Sequence, residues 1–414
     1  MLLKIAWRNV WRNRLRSLVV ITAVAIGVTA LLLMIAYFQG FVGTYVNSMI
    51  HKELSHLQIH PKAFLRDREV QYFIPQSDSL TEKWIATFKD EVTGEALIKA
   101  VSARSQAQGM IASPKASHAI QVYGVKPEQE KAVISWQNML KEGVWFGESP
   151  KKHPIIISKK MAQRLQVKLN KKVVLTLVNA EGEVVSGAFR IIGLFESHSS
   201  KKDEIQVLIR RKDLNELLNL PPEAAHEIAI LLQKPEALEK IAENLKKQYP
   251  DWSIQNYKEL APEIQLFDSQ MLLMLSILIG IVMLALIFSI VNTMLMAVLE
   301  RYRELGMLMA IGMNRLRVFG MIVWETLILG TAGAPIGMLL TYLAMQQLGT
   351  KGLDLSAFSK GLKEWGFDTR IIFSLDPSWY WKIALTMMLT ALLASLYPAW
   401  KAIRFKPAEA IHKL

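Results

Sequence analysis

Two kinds of hydrophobic pattern alternate along this chain. Four apolar runs, Leu18–Phe38, Met271–Leu299, Val318–Met345 (interrupted once, at Glu325) and Ile383–Ala399, approach or exceed the roughly 20 residues that cross a bilayer as helix. Between the first two lies a long mixed segment with period-two runs at Leu57–His60, Ile120–Val125, Ile155–Ile157, Val173–Val178, Phe189–Phe195, Gln206–Ile209 and Glu227–Leu232. Helical periodicity shows at Leu80–Phe88, Lys160–Leu165, Leu214–Leu218 and Pro235–Gln248, and Gly182 marks a hairpin between two Val-rich stretches. The pattern predicts a membrane protein of four transmembrane α-helices with a large α+β domain outside the bilayer. Its boundaries fall at 1–17 (amphipathic helix), 18–40 (first span), 41–270 (outer domain), 271–299 (second span), 300–317 (connecting helix), 318–345 (third span), 346–379 (short loop), 380–402 (fourth span) and 403–414 (tail).

Some runs say more than "span". Met271–Leu299 would be about 43 Å long as helix, against a hydrocarbon core of about 30 Å, so it either tilts or leaves the membrane as a rigid rod. An apolar face that persists from Phe41 to Met49 likewise extends the first helix outward. In the third span, Glu325 is costly in lipid and is expected to form a structural ion pair or hydrogen bond, a proton relay being the sharper alternative. Gly330, Gly333 and Gly337 form a small-residue stripe that admits a neighbouring helix, and Pro335 would kink it. Trp365, Trp379, Tyr380 and Trp381 read as an interfacial belt, with Lys382 able to snorkel.

Charge then orients the spans. The net charge is +13, and the basic residues collect before the first run (Lys4, Arg8, Arg12, Arg14, Arg16), between the second and third (Arg301, Arg303, Arg315, Arg317) and after the fourth (Lys401, Arg404, Lys406, Lys413). All three groups lie on one face, whereas Lys351, Lys360, Lys363 and Arg370 in the remaining loop are balanced by acids. The positive-inside rule puts both termini in the cytosol, and the basicity is topological rather than the footprint of a nucleic acid. The first run is too long for a signal-peptide h-region and lacks an A-x-A-like site, which favours a retained anchor. No cysteine is present, so the outer domain depends on its own core.

The chemistry of catalysis is missing. There is no phosphate-binding G-x-x-x-x-G-K-[ST] loop, no G-x-G-x-x-G and no G-x-S-x-G, so no catalytic residue is assigned. His51, His56 and His60 lack companions to complete a metal-ligand set, and no metal site is expected. What remains is Asn292–Gly312, where an uncharged run stops at Glu300-Arg301-Tyr302-Arg303-Glu304. Glu300 and Glu304 are four apart with Arg301 and Arg303 beside them, while Leu305, Met307, Leu308 and Ile311 make an apolar counter-face and Gly306 and Gly312 offer turns. Such an element suits docking into a partner's groove; an ordinary charged loop between spans is the plainer alternative.

This stretch resembles the segment after the second membrane helix of FtsX-like permeases, the group that includes the exporter MacB and the lipoprotein-releasing LolC and LolE subunits. Ala6–Ser17 and Tyr397–His412 match in kind, and Ser55–Pro61 with Tyr123–Glu130 resemble the LolE-type branch. The resemblance implies a Porter-like α/β part built from 58–117 and 227–258 with a β-rich insertion near 121–220. It implies that the chain is not an enzyme: ATP and Mg belong to a separate ABC ATPase subunit docking at Glu300, Arg301, Arg303, Glu304, Leu305, Gly306, Met307, Ile311 and Gly312. It further implies a second permease copy or a paralogue, a lipoprotein or lipophilic substrate, a periplasmic acceptor and a place in the bacterial inner membrane. A non-transporting regulator like FtsX, or MacB-like efflux of other substrates, is the competing expectation. Relatives commonly carry Glu at the position of Glu325. They tend to read Gly-Asp-Lys where this chain has Asn170-Lys171-Lys172, which puts the strand register after that turn in question.

Overall fold

The computed structural model describes residues 2–12, 14–90, 93–148, 151–197, 200–358, 361–362 and 369–404. Tail residues Lys406 and Lys413, and the loop residues Lys360, Lys363, Glu364, Trp365 and Asp368, lie outside them. Two compact units are present, one of Met1–Gly43, Phe267–Asp354 and Arg370–Leu414, the other of Thr44–Leu266 and Leu355–Thr369.

The first unit is mainly helical, with one short antiparallel pair, Leu353–Asp354 with Arg370–Ile371. An amphipathic helix, Leu2–Arg12, precedes four helices, Arg14–Met49, Pro262–Glu300, Arg315–Lys351 and Ser378–Ile403, each long and apolar enough to cross a membrane. Their core joins Val24, Val28, Leu31, Leu32 and Ile35 of the first to Ile290, Met294, Met321, Ile322 and Met387 of the others. The glycine stripe has a steric cause. A Cβ on Gly333 would stand 2.5 Å from the Ile21 carbonyl oxygen and one on Gly337 2.6 Å from that of Ala25, so only glycine lets the third helix approach the first this closely. Gly330 meets Ala391 of the fourth helix in the same way. The third helix continues through Pro335, and the Lys382 ammonium lies 4.8 Å from the centre of the Trp379 ring.

Two expected lengths change. The second helix begins at Pro262 and runs 39 residues, about 58 Å. Segment 300–317 is not one helix: only Tyr302–Ala310 is helical there, and the third long helix already starts at Arg315. The stop is built locally. Gly312 takes φ +104°, a left-handed conformation that lets the Met313 N–H reach back to the Leu308 carbonyl, and the Asn314 side chain caps the next helix by accepting from the Leu316 N–H.

The second unit carries a ten-stranded mixed sheet. Its strands are β1 (Leu57–Pro61), β2 (Ile98–Ala112), β3 (Ser117–Val125), β4 (Leu140–Gly143), β5 (Pro154–Ser158), β6 (Lys172–Val178), β7 (Val184–Phe195), β8 (Gln206–Arg210), β9 (Glu227–Leu232) and β10 (Trp252–Asn256). They run in the order β10-β1-β9-β2-β3-β8-β5-β7-β4, and β6 pairs with β2 and β7. β2 is the strand that unites the sheet. Ile98–Arg104 pairs with β9, and Ser105–Ala112 pairs with β3, its last four residues also with β6. One core gathers around β1, β9, β10 and the helices Ser77–Thr87 and Leu238–Gln248; another lies among β3, β5, β6, β7 and β8. Gly182 turns the β6–β7 hairpin at φ +84°, and Asn170, at φ +68°, makes the turn that sets Lys172 opposite Arg190. Asn is among the few residues that adopt this left-handed conformation readily.

A buried ionic network sits where β2 changes partner. Arg104, opposite Glu227 in the ladder, donates to it and, through Nε and Nη2, to both oxygens of Glu130 at 2.8 and 2.9 Å. Ser102 and Trp136 also donate to Glu130, and Gln106 donates to Glu227. Burial raises the Glu227 carboxyl, but the Arg104 guanidinium and the His60 ring outweigh it and hold it below the ordinary glutamate value.

Candidate functional site in the segment between the second and third apolar helices

Residues 300–312 are positioned by a one-residue break. The second helix ends at Glu300, Arg301 leaves helical geometry (φ −96°, ψ 15°), and Tyr302 begins the nine-residue helix. Two faces result. Leu305 and Gly306 are buried, and Leu305 belongs to the same apolar cluster as Val298, Val318 and Met321. In this conformation these two members of the expected docking set face the bundle rather than solvent. Adjacent residues on a helix point about 100° apart, so the apolar set seen in sequence divides between inside and outside. Met307 and Ile311 take the outside, exposed at 55% and 79%. Arg303 and Gly312 are exposed as well.

The carboxylates are engaged by the chain itself. Arg12 Nη2 donates to both oxygens of Glu304 at 2.9 and 2.8 Å, and Arg301 Nε donates to the same group at 3.1 Å. Arg16 donates to Glu300 at 2.5 Å. Arg301 reaches inward too, its Nη1 3.1 and 3.3 Å from the oxygens of Glu325 on the third helix. Glu325 is thus ion-paired, its side chain 7% exposed, and such a partner offsets part of the cost of a carboxylate at that depth. The hydrogen bond from Arg12, with Arg301 behind it, holds the Glu304 carboxyl below its usual range. Arg12 and Arg16 are functional-site neighbours that sequence reasoning assigned only to topology; nothing local ties them to residues nearly three hundred positions away.

Of the three histidines, His51 and His56 stack edge to face, ring centres 6.2 Å apart, while His60 turns to another partner. His51 contacts the Asn47 carbonyl, His56 Nδ1 accepts from the Leu232 N–H at 3.2 Å, and His60 faces Glu227 at 3.3 Å. Among the described residues no three metal-ligating side chains converge.

Comparison with known proteins decides the family. The family model "MacB-like periplasmic core domain" matches residues 17–248, more than half of the chain, and "FtsX-like permease C-terminal" matches 276–407. The chain belongs to the FtsX-like, MacB-type family of ABC transporter permeases. Among the permease's relatives are the lipoprotein-releasing system transmembrane protein LolE of Haemophilus influenzae, 22% identical over 70% of this chain and 72% of that one, and LolC of Neisseria meningitidis, 21% identical over 95% and 93%. An uncharacterized ABC transporter permease of Methanocaldococcus jannaschii is 24% identical over 81% of each chain. Of solved structures, the periplasmic region of MacB from Actinobacillus actinomycetemcomitans aligns with 50% of this permease and 92% of its own length, at 14% identity and TM-score 0.35. Membership makes this chain the membrane component of an ABC system rather than its catalyst, and implies an ATPase partner.

Proposed function

We propose that this permease couples ATP hydrolysis by a separate cytosolic subunit to motion of its periplasmic domain, and that the motion releases lipoproteins from the bacterial inner membrane. Both termini and residues 300–317 lie in the cytosol on this reading, as the distribution of basic residues favours. The observation that carries it is the short helix Tyr302–Ala310 with Met307 and Ile311 turned outward: an apolar, ion-framed knob of the size that fills a groove on a partner. The second apolar helix, only 17% buried over its most apolar window, leaves a long face for lipid and for a second permease copy or paralogue. The LolE and LolC relatives supply the substrate class.

Two measurements test it. Met307→Asp with Ile311→Asp is expected to abolish copurification of the ATPase subunit, and wild-type copurification would remove the docking face. In proteoliposomes, ATP is expected to transfer a triacylated lipoprotein to a soluble acceptor. Normal hydrolysis with no lipoprotein leaving would replace transport by the regulator or efflux reading.

A further inference from the structure

We infer that the N-terminal segment is the mount of the docking helix, with Arg12 and Arg16 as positioning residues; the inference rests on the docking reading above. Its basis is a matched spacing. Arg12 and Arg16 are four apart, as are Glu300 and Glu304, and they pair in opposite order, Arg12 with Glu304 and Arg16 with Glu300. A single exposed pair fixes little, but two pairs in register fix both the place and the direction of the helix they hold.

The pairs also fall where the backbone needs them. Glu300 ends a 39-residue helix, where the unsatisfied carbonyls make a negative side chain unfavourable, and Arg16 offsets that charge. Glu304 takes hydrogen bonds from two arginines, and one of these, Arg301, continues to Glu325. The docking helix is therefore tied on one side to the third apolar helix and on the other to the N-terminal segment.

That segment is itself fixed. Ala6 and Val10 are buried against the bundle, and the Ser17 hydroxyl donates to the Val10 carbonyl, closing the corner between the amphipathic and first apolar helices. Leu3, Trp7 and Trp11, at successive four-residue steps, are exposed on another face suited to the headgroup region. A mount gripped by the membrane interface can hold the docking helix at a set angle while the partner pushes on Met307 and Ile311. Glu300 and Glu304 accordingly orient the docking surface and do not form it.

Charge exchange tests this in the full permease assembled with its ATPase subunit. Arg12→Glu with Arg16→Glu, and separately Glu300→Arg with Glu304→Arg, are expected to keep copurification while lowering permease-dependent ATPase turnover by roughly tenfold; the fourfold exchange is expected to restore turnover to within about twofold, the signature of direct coupling. Unchanged turnover in both reversals, or a fourfold exchange no better than either, overturns the mount. Folding is followed separately. The chain has no cysteine, so Arg12→Cys with Glu304→Cys should join through a short bifunctional thiol reagent in the purified permease alone, and failure of a monodisperse sample to join also overturns it. If the thiols join but Met307→Asp with Ile311→Asp still copurifies the ATPase, the docking reading has failed and the juxtaposition stands.

Discussion

The permease contains two arginine–glutamate networks built from the same groups in opposite surroundings. Around Arg104 the three charged side chains are at most 4% exposed, and seven hydrogen bonds run to Glu130 and Glu227 from arginine, hydroxyl, indole, amide and imidazole donors. Around Glu304 the carboxylate is 48% exposed and Arg12 54%. Burial makes the first network costly to break, because losing one partner strands the other charge in a poor solvent. Exposure makes the second cheap to break and remake, since water replaces each lost bond. The first suits a junction that holds a fold, and the second suits a mount that sets an angle while adding little to stability.

The sharpest way to break the comparison is Arg104→Met. Two buried carboxylates would lose the guanidinium between them and keep only Ser102, Trp136, Gln106 and His60, and the periplasmic core is expected to lose about 3–5 kcal/mol, read as a fall in melting temperature with an altered near-ultraviolet spectrum. A loss below about 1 kcal/mol would mean that water reaches the site and that the two networks are alike. Adding Glu130→Gln and Glu227→Gln to Arg104→Met should recover much of the loss.

The same residue explains what the sequence withheld. β2 is the longest strand of the sheet, yet none of the expected strands covers it, because Ser102, Arg104, Ser105 and Gln106 read as solvent-facing and are all buried. A polar side chain inside a network breaks the period-two signal as surely as a loop does. β10 hid for a different reason, its alternation being only half buried, and β4 is four residues long. By contrast the apolar strands β5, β8 and β9 were legible to within about a residue at each end, since burial alone selects their composition. In the candidate site the charges of 300–304 announced an element. Which side of it faced the bundle depended on phase, and the arginines that hold it lie 284 and 292 residues away.

Acid should widen the difference between the regions. His226 Nδ1 accepts the Gln106 N–H at 3.0 Å while its Nε2 meets the Val70 carbonyl at 2.9 Å, an arrangement for the neutral ring. Burial pushes His226 down to about 4, and burial with neighbouring His51 and Lys99 does the same for His56. Below pH 6.5 the unfolded chain takes up these protons and the folded domain does not, so stability falls from pH 6.5 toward 4 and is regained as pH rises. For one such ring the change is on the order of 3 kcal/mol across the window. Thermal melts between pH 7 and 4.5 should show the slope, and His226→Gln should flatten part of it. Equal slopes in wild type and variant would contradict the assignment.

The smallest expected effect sharpens the comparison most, because it separates holding a fold from holding an angle. Arg12→Gln removes both hydrogen bonds to Glu304 but leaves Arg301 on it, and neither Arg12 nor Glu304 is left buried and unpaired. Stability in detergent should therefore change by less than about 1 kcal/mol. Salt should mimic the substitution: raising ionic strength from about 0.1 to 1 M shortens the screening length from about 10 to 3 Å, which weakens an exposed pair and spares a buried one. Arg301→Gln is the control, because it strands Glu325 in the bundle and should cost distinctly more. If Arg12→Gln proves as destabilising as Arg301→Gln, the outer pairs hold the fold as the buried ones do, and the contrast between holding a fold and holding an angle collapses.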